Sequence, residues 1–283
     1  GELKEVACAP GITQEDDGRV VSSISGAERA LGKSTPTGSL YGIAIDIGTT
    51  TVVVYLEDLR TCTTIDIVSF LNPQQARGHD VVSRIHYCME HPSGLEELRR
   101  SVVDGINRAT ASLCARHGIA TESIVKAVVV GNTTMLHLFA GENPEGIAIA
   151  PYTPVFTEQR LVSGADSGLT LHRQGVVHLL PSISAYVGAD VSAGICAASL
   201  HEAGETSLYV DIGTNGEMVL AGDGKLLCCS TAAGPALEGA RIAHGVGGID
   251  GAVCRFDVSG YDTIGGAQAI GICGSGIVDT VAE

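Results

Sequence analysis

The sequence predicts an α/β protein made of two similar lobes that face each other. Strand-like runs alternate with helical periods from residue 41 onward. One short pattern also occurs twice: residues 44–51 read A-I-D-I-G-T-T-T and residues 209–216 read Y-V-D-I-G-T-N-G. Each copy lies between two apolar, β-branched runs, which is the signature of a hairpin turn. A hairpin that recurs at the same place in two stretches implies a repeated lobe.

Taken in order, residues 1–40 are mixed and polar and are read as a linker or the end of a middle domain. Residues 42–47 form a strand, 48–51 a turn and 52–56 the return strand. Leu95, Leu98, Val102, Ile106, Ala109 and Leu113 recur at helical spacing and predict a helix over 95–117. Residues 124–130 (IVKAVVV) are a buried strand, with Asn132 or Thr133 as the cap of a following helix. The small residues of 183–200 predict a closely packed helix. Residues 207–212 and 217–221 are the second hairpin, a glycine-rich stretch occupies 234–251, and a glycine turn at 271–276 precedes a helix start at 277. The lobes are expected at 41–182 and 183–283.

Composition narrows the function. Lys and Arg total 17 against 32 Asp and Glu, a net charge of −15. Nucleic acid and anionic membranes need basic surface, so neither is expected as a partner. No apolar run reaches the ~18–20 residues of a membrane helix. Nine cysteines are scattered without any C-x-x-C. They read as small buried hydrophobes of a cytoplasmic protein and not as a disulfide framework. Glycine, at 37 of 283 residues, is nearly twice as frequent as the usual ~7%.

The repeated turn suggests a chemistry. Glycine lets a ligand approach the backbone, threonine adds a hydroxyl beside exposed amides, and such amide nests hold phosphate oxygens. An aspartate beside a polyphosphate is repulsive unless a cation lies between them, and Mg²⁺, keeping several of its waters, fills that place. Two such turns from opposed lobes clamp one triphosphate. The alternative is a pair of ordinary turns whose aspartates bond their own backbone.

These residues carry a family resemblance. The D-I-G-T-T and D-I-G-T-N turns resemble the two phosphate motifs of the actin, sugar-kinase and heat-shock-chaperone ATPases, and Ile272-Cys273-Gly274-Ser275-Gly276-Ile277 resembles their adenosine turn. The stretches 41–52, 128–138, 180–190, 211–217 and 232–239 are more specifically similar to the reductive activators of corrinoid-dependent enzymes. The resemblance covers about 41–283. It implies a two-lobed actin-like (ribonuclease H-like) fold that binds and hydrolyses ATP with Mg²⁺. It also implies a corrinoid protein of a methyltransferase system as partner, returned from cob(II)alamin to cob(I)alamin. The family's 2Fe–2S cluster is expected only in an N-terminal domain missing here, because the C-x₄-C-x₂-C spacing is absent. The sequence stops soon after the adenosine-like turn, so the second lobe is expected to be incomplete. A homodimer is left open.

On this resemblance Asp46 holds Mg²⁺ through water, and Asp211 faces the same metal or orients the attacking water. Gly48, Thr49 and Thr50 contact the phosphates from one side, and Gly213, Thr214 and Asn215 from the other. Asn132 and Thr133 open a helix toward the γ-phosphate. Gly234 and Glu238 lie at a helix start where Glu238 reaches the ribose, and Gly274, Ser275 and Gly276 lie beside the adenosine. Asp190, after Gly188, is placed at the hinge.

Three other functions compete. An activator of the radical 2-hydroxyacyl-CoA dehydratase type needs a cysteine where this chain has Thr231. A small-molecule kinase needs an acceptor pocket with an aspartate base. A nucleotide-switched binding module needs only lobe movement. Residues 27–34 (AERALGKS) fit a relaxed phosphate-loop pattern, but 27–31 read as helix and Pro36 and Gly38 stop the helix that must follow the Lys-Ser.

Overall fold

The structure, a computed structural model, describes residues 40–234 and 242–283 with their side chains, and four earlier strands by their backbone. Those strands, β1 (Lys4–Glu5), β2 (Ile12–Gln14), β3 (Arg19–Ile24) and β4 (Ala27–Lys33), form an antiparallel meander. Residues 27–31 are therefore strand, not helix. Ala27, Ala30 and Leu31 have helical spacing, but pairing with β3 overrides it, from Arg19 opposite Lys33 to Ile24 opposite Ala27. The phosphate-loop reading fails with it.

The first lobe is built on a six-stranded sheet. Its strands are β5 (Tyr41–Ile47), β6 (Thr51–Asp58), β7 (Thr63–Leu71), β8 (Ile124–Gly131), β9 (Arg160–Ser163) and β10 (Val176–Leu179). Their order is β7-β6-β5-β8-β10-β9, with β5, β8 and β10 parallel. Strand alternation sets the faces. Ile43, Ile45 and Ile47 of β5 and Val52, Val54 and Leu56 of β6 turn into the core, which leaves Asp46 and Val53 on the other face.

Helix α1 (Val81–Glu90) is followed by α2 (Gly94–His117), which covers the core face with Leu98, Val102, Ile106, Ala109 and Leu113. Glu96 and Glu97 in the first turn and Arg116 and His117 in the last complement the helix dipole, and Gly118 ends it at φ 64°. Ile106 is fully buried in this cluster. Ile106→Ala is expected to cost about 2–5 kcal/mol, read as a lower urea midpoint with an unchanged slope.

Helix α3 (Thr133–Ala140) follows β8, and two one-turn helices, α4 (Glu145–Ala148) and α5 (Gly164–Ser167), lie further on. The helix expected over 183–200 is shorter: α6 runs Ala189–Ala197. Before it, the amides of Ile183 and Ser184 both bond the Val187 carbonyl, a turn that tucks Ala185 against Ile85 and Ile147.

The second lobe starts with the meander β11 (Ser207–Ile212), β12 (Gly216–Gly222) and β13 (Lys225–Thr231), which repeats β5-β6-β7. Val191 and Ile195 of α6 pack with Val219 beneath it. No parallel strand lies beside β11 among the described residues, so the sheet there is purely antiparallel and not mixed. A separate sheet joins β14 (Ala252–Asp257), β15 (Gly260–Thr263) and β16 (Gly271–Ile272), and α7 (Gly274–Ala282) starts three residues earlier than the sequence suggests.

The cysteines are less buried than expected. Cys114 and Cys273 are buried, Cys196 and Cys229 exposed and Cys88, Cys228 and Cys254 intermediate, all free, while Cys62 is disulfide-bonded. Among the described residues no helix is long and apolar enough to cross a membrane.

Candidate active site

The two repeated turns meet across one cavity of about 270 Å³. Asp46, Gly48, Thr49, Thr50, Asn132, Asp211, Gly213, Thr214 and Asn215 all line it, joined by Thr51, Val53, Asp190, Ile212 and Glu217. Thr50 and Thr214 hydroxyls lie 3.2 Å apart, linking the turns directly.

In the first turn Gly48 is required by close approach: a Cβ there would stand 2.5 Å from the Thr51 carbonyl oxygen. In the second, the Gly213 amide bonds the Asn215 carbonyl at 3.0 Å and the Gly234 amide bonds the Thr214 carbonyl at 2.8 Å. The turns differ in length. Ile47 pairs with Val52, whereas Ile212 pairs with Gly216, so the second turn is one residue shorter. Val53 therefore lies opposite Asp46, but Glu217 lies opposite Asp211. Directly paired residues share a face, so Glu217 joins the cavity.

Asn132 ties the first turn to α3. Its Oδ1 accepts the Met135 amide at 3.0 Å as helix cap, and its Nδ2 donates to the Thr49 hydroxyl at 3.0 Å. Just before it, Gly131 has φ 151°, and a Cβ there would lie 2.6 Å from the Ile47 carbonyl oxygen. Thr133 does not line the cavity: its buried hydroxyl donates to the Ser184 carbonyl at 2.6 Å, which leaves its amide as the group at the helix start.

The cavity is strongly acidic, and none of its lining residues is Lys or Arg. Burial first, then the charges of Asp190 and Asp211, push the Asp46 carboxyl from its usual 3.8 up to about 7. Asp190 rises to about 6, chiefly by burial and against a hydrogen bond from the Val191 amide, which favours its charged form. Glu217, only 7% exposed, rises to about 7 by burial and by Asp190 and Asp211. Neighbouring charges thus raise these carboxyls, and a cation among them would favour the ionised forms. The donor set is all hard oxygen, which suits Mg²⁺. No three such groups converge closely enough to ligate one ion directly among the described residues.

Glu217 is the cavity residue that sequence reasoning missed, and Asp190 was read only as a hinge residue. Asp190 sits in the first turn of α6 and lines the cavity. Glu217 follows directly on D-I-G-T-N-G, but its place opposite Asp211 emerges only from the register across the shorter turn. Gly274, Ser275 and Gly276 do not line this cavity. They start α7, where Gly276 packs closely on the Val253 carbonyl and the Ser275 hydroxyl lies 3.4 Å from the Cys273 sulfur. Glu238 lies outside the described residues.

Comparison with known proteins identifies the family. A sequence model of the RACo middle region matches residues 41–203, and one for the C-terminal domain of RACo, the ASKHA domain, matches residues 205–283. The corrinoid activation enzyme RamQ of Eubacterium limosum is 37% identical over 247 residues, which cover 86% of this chain and 41% of that protein. A Co(II) methylated amine-specific corrinoid protein reductase of Methanosarcina barkeri is 27% identical over 241 residues, 78% of this chain and 41% of the relative. The solved structure of a reductive activator for a corrinoid, iron–sulfur protein superposes with a TM-score of 0.85 at 40% identity, covering 93% of this chain and 43% of that one. The chain thus spans about two-fifths of the length of these relatives. Its two opposed hairpins are those of the actin-like ASKHA fold, and the chain belongs to the RACo family.

Proposed function

We propose that this chain is the ATP-binding and ATP-hydrolysing part of an activator that drives reduction of cob(II)alamin to cob(I)alamin on a corrinoid protein. The observation that carries the reading is the convergence of both Asp-Ile-Gly-Thr turns on one acidic cavity. A triphosphate fits between the two sets of turn amides, and Mg²⁺ between the phosphates and the carboxylates. The three relatives, all named for corrinoid activation or corrinoid-protein reduction, supply the substrate class.

In this reading residues 41–182 and 183–283 are the two lobes. Gly48, Thr49, Thr50, Gly213, Thr214 and Asn215 hold phosphate oxygens, Asn132 and the Thr133 amide meet the terminal phosphate, and Gly234 supports the second turn. Asp46 and Asp211 are the catalytic pair and hold Mg²⁺ through its waters, with Asp190 and Glu217 beside them. Glu238 and the 274–276 turn serve the nucleoside. The electron carrier, a 2Fe–2S domain, belongs to the part of the protein that precedes these residues. The setting is a cytoplasmic methyltransferase system, and a homodimer is compatible with it. Thr231, in place of the cysteine needed for a bridging cluster, disfavours the dehydratase-activator reading.

Mg²⁺-dependent ATP hydrolysis by the full chain, measured with cob(II)- and cob(I)-loaded corrinoid protein and with added sugars, tests this. Stimulation by the cob(II) form alone is expected. Stimulation by a sugar, with phosphate transferred to it, would establish the kinase instead.

A further inference from the structure

The sequence gives no hint that anything lies beneath the first phosphate turn, yet the structure places a buried cation there. Arg84 of α1 is fully buried. Its Nε donates to the Gly78 carbonyl at 2.9 Å, one Nη to the Gln74 amide oxygen at 3.1 Å, and the other Nη to the carbonyl of Thr49. Among the described residues it forms no ion pair with a carboxylate. Asp80 is near enough to favour the charged form, and burial lowers the guanidinium only to about 10, so it stays charged at neutral pH. A buried charge without a paired counter-charge is costly to keep.

The neighbouring carbonyls are anchored in the same way. Asn72 Nδ2 donates to Gly48 O at 2.8 Å, while the Asn72 amide and Gln75 Nε2 both donate to Thr50 O at 2.8 and 3.0 Å. Three successive carbonyls of the turn are therefore held from one side. In a planar trans peptide the N–H points opposite to the C=O. Fixing the carbonyls of Gly48, Thr49 and Thr50 thus fixes the amides of Thr49, Thr50 and Thr51 on the cavity side.

We infer that Arg84, with Asn72 and Gln75, is a positioning residue for the phosphate-holding turn. It locks the amides toward a polyphosphate and sets a permanent positive charge behind them. The inference rests on the nucleotide site proposed above. It assigns a task to residues of the short 3-10 turn before α1 and of α1 itself, which do not line the cavity.

The test measures binding of Mg-ATP, Mg-tripolyphosphate and adenosine, together with kcat and KM for hydrolysis, in the full chain and in Arg84→Lys, Arg84→Met and Gln75→Ala. Gln75 is only half-buried, so its variant keeps the fold even if an Arg84 variant does not. Arg84→Met is expected to weaken both polyphosphates about tenfold or more and leave adenosine unchanged, with Arg84→Lys recovering part of the loss. Gln75→Ala is expected to weaken them about three- to fivefold, a typical cost for one hydrogen bond. If wild type binds Mg-ATP and Gln75→Ala matches it for every ligand, or if adenosine falls in parallel with the polyphosphates, the inference is overturned. If wild type itself binds neither polyphosphate, it is the nucleotide-site reading that fails.

Discussion

Asp211→Asn is expected to reduce Mg-ATP turnover by 10²-fold or more while changing nucleotide affinity much less. The substitution keeps the shape of the second turn and removes one charge. If Asp211 orients the attacking water, its contact matters chiefly in the transition state, so kcat falls more than binding does. A hundredfold loss corresponds to about 2.7 kcal/mol of barrier. Asp46→Asn is expected to act earlier, weakening Mg²⁺-dependent binding, because the Asp46 carboxylate opposes the phosphates whenever no cation lies between them. Steady-state kinetics with a Mg²⁺ titration separates the two. Unchanged affinity and turnover in both variants would mean that the repeated turns only shape the hairpins.

The second large effect is on stability and runs against the usual acid-denaturation trend. Asp46, Asp190 and Glu217 are raised to about 7, 6 and 7 from ordinary values of 3.8, 3.8 and 4.5. A carboxyl with a raised folded pKa keeps a proton that the unfolded chain has released. Its stabilising contribution is complete below the unfolded value and disappears as pH rises through the folded value. The cluster should therefore weaken the metal-free protein between about pH 4 and 7, and the loss should be complete near pH 8. Removing one charge relieves it. Metal-free Asp46→Asn is expected to melt several degrees above wild type at pH 8, about 1–3 kcal/mol, and to lose more than half of that advantage at pH 5. Saturating Mg²⁺ should close the gap by stabilising wild type selectively. Melting curves at the two pH values, with and without Mg²⁺, check this. A variant advantage that is independent of pH would rule out the carboxylate cluster as its cause.

How much of this was legible depended on whether local sequence or long-range register decided the position. Asp46 and Asp211 could be read because five consecutive residues repeat, and a hairpin is a local structure. The long helix α2 was legible from its apolar period. Glu217 was not, because its place opposite Asp211 depends on the second turn being one residue shorter than the first. Asp190 was obscured because the small residues before Gly188 look as helical as those after it, although the chain turns back at Val187. The strand at 27–33 was misread because three apolar positions matched a helix and nothing local revealed its pairing with β3. Arg84, Asn72 and Gln75 were invisible for a different reason: they act on backbone carbonyls, and a carbonyl has no signature in sequence.

The one-residue difference between the turns also breaks the balance between the halves. Lobe I brings one acid to the cavity, Asp46. The second half brings Asp211, Glu217 and, from the helix packed under its meander, Asp190. A divalent ion held in this cavity would meet three carboxylates from that half against one from the first, so the attraction between the halves and the ion would be unequal.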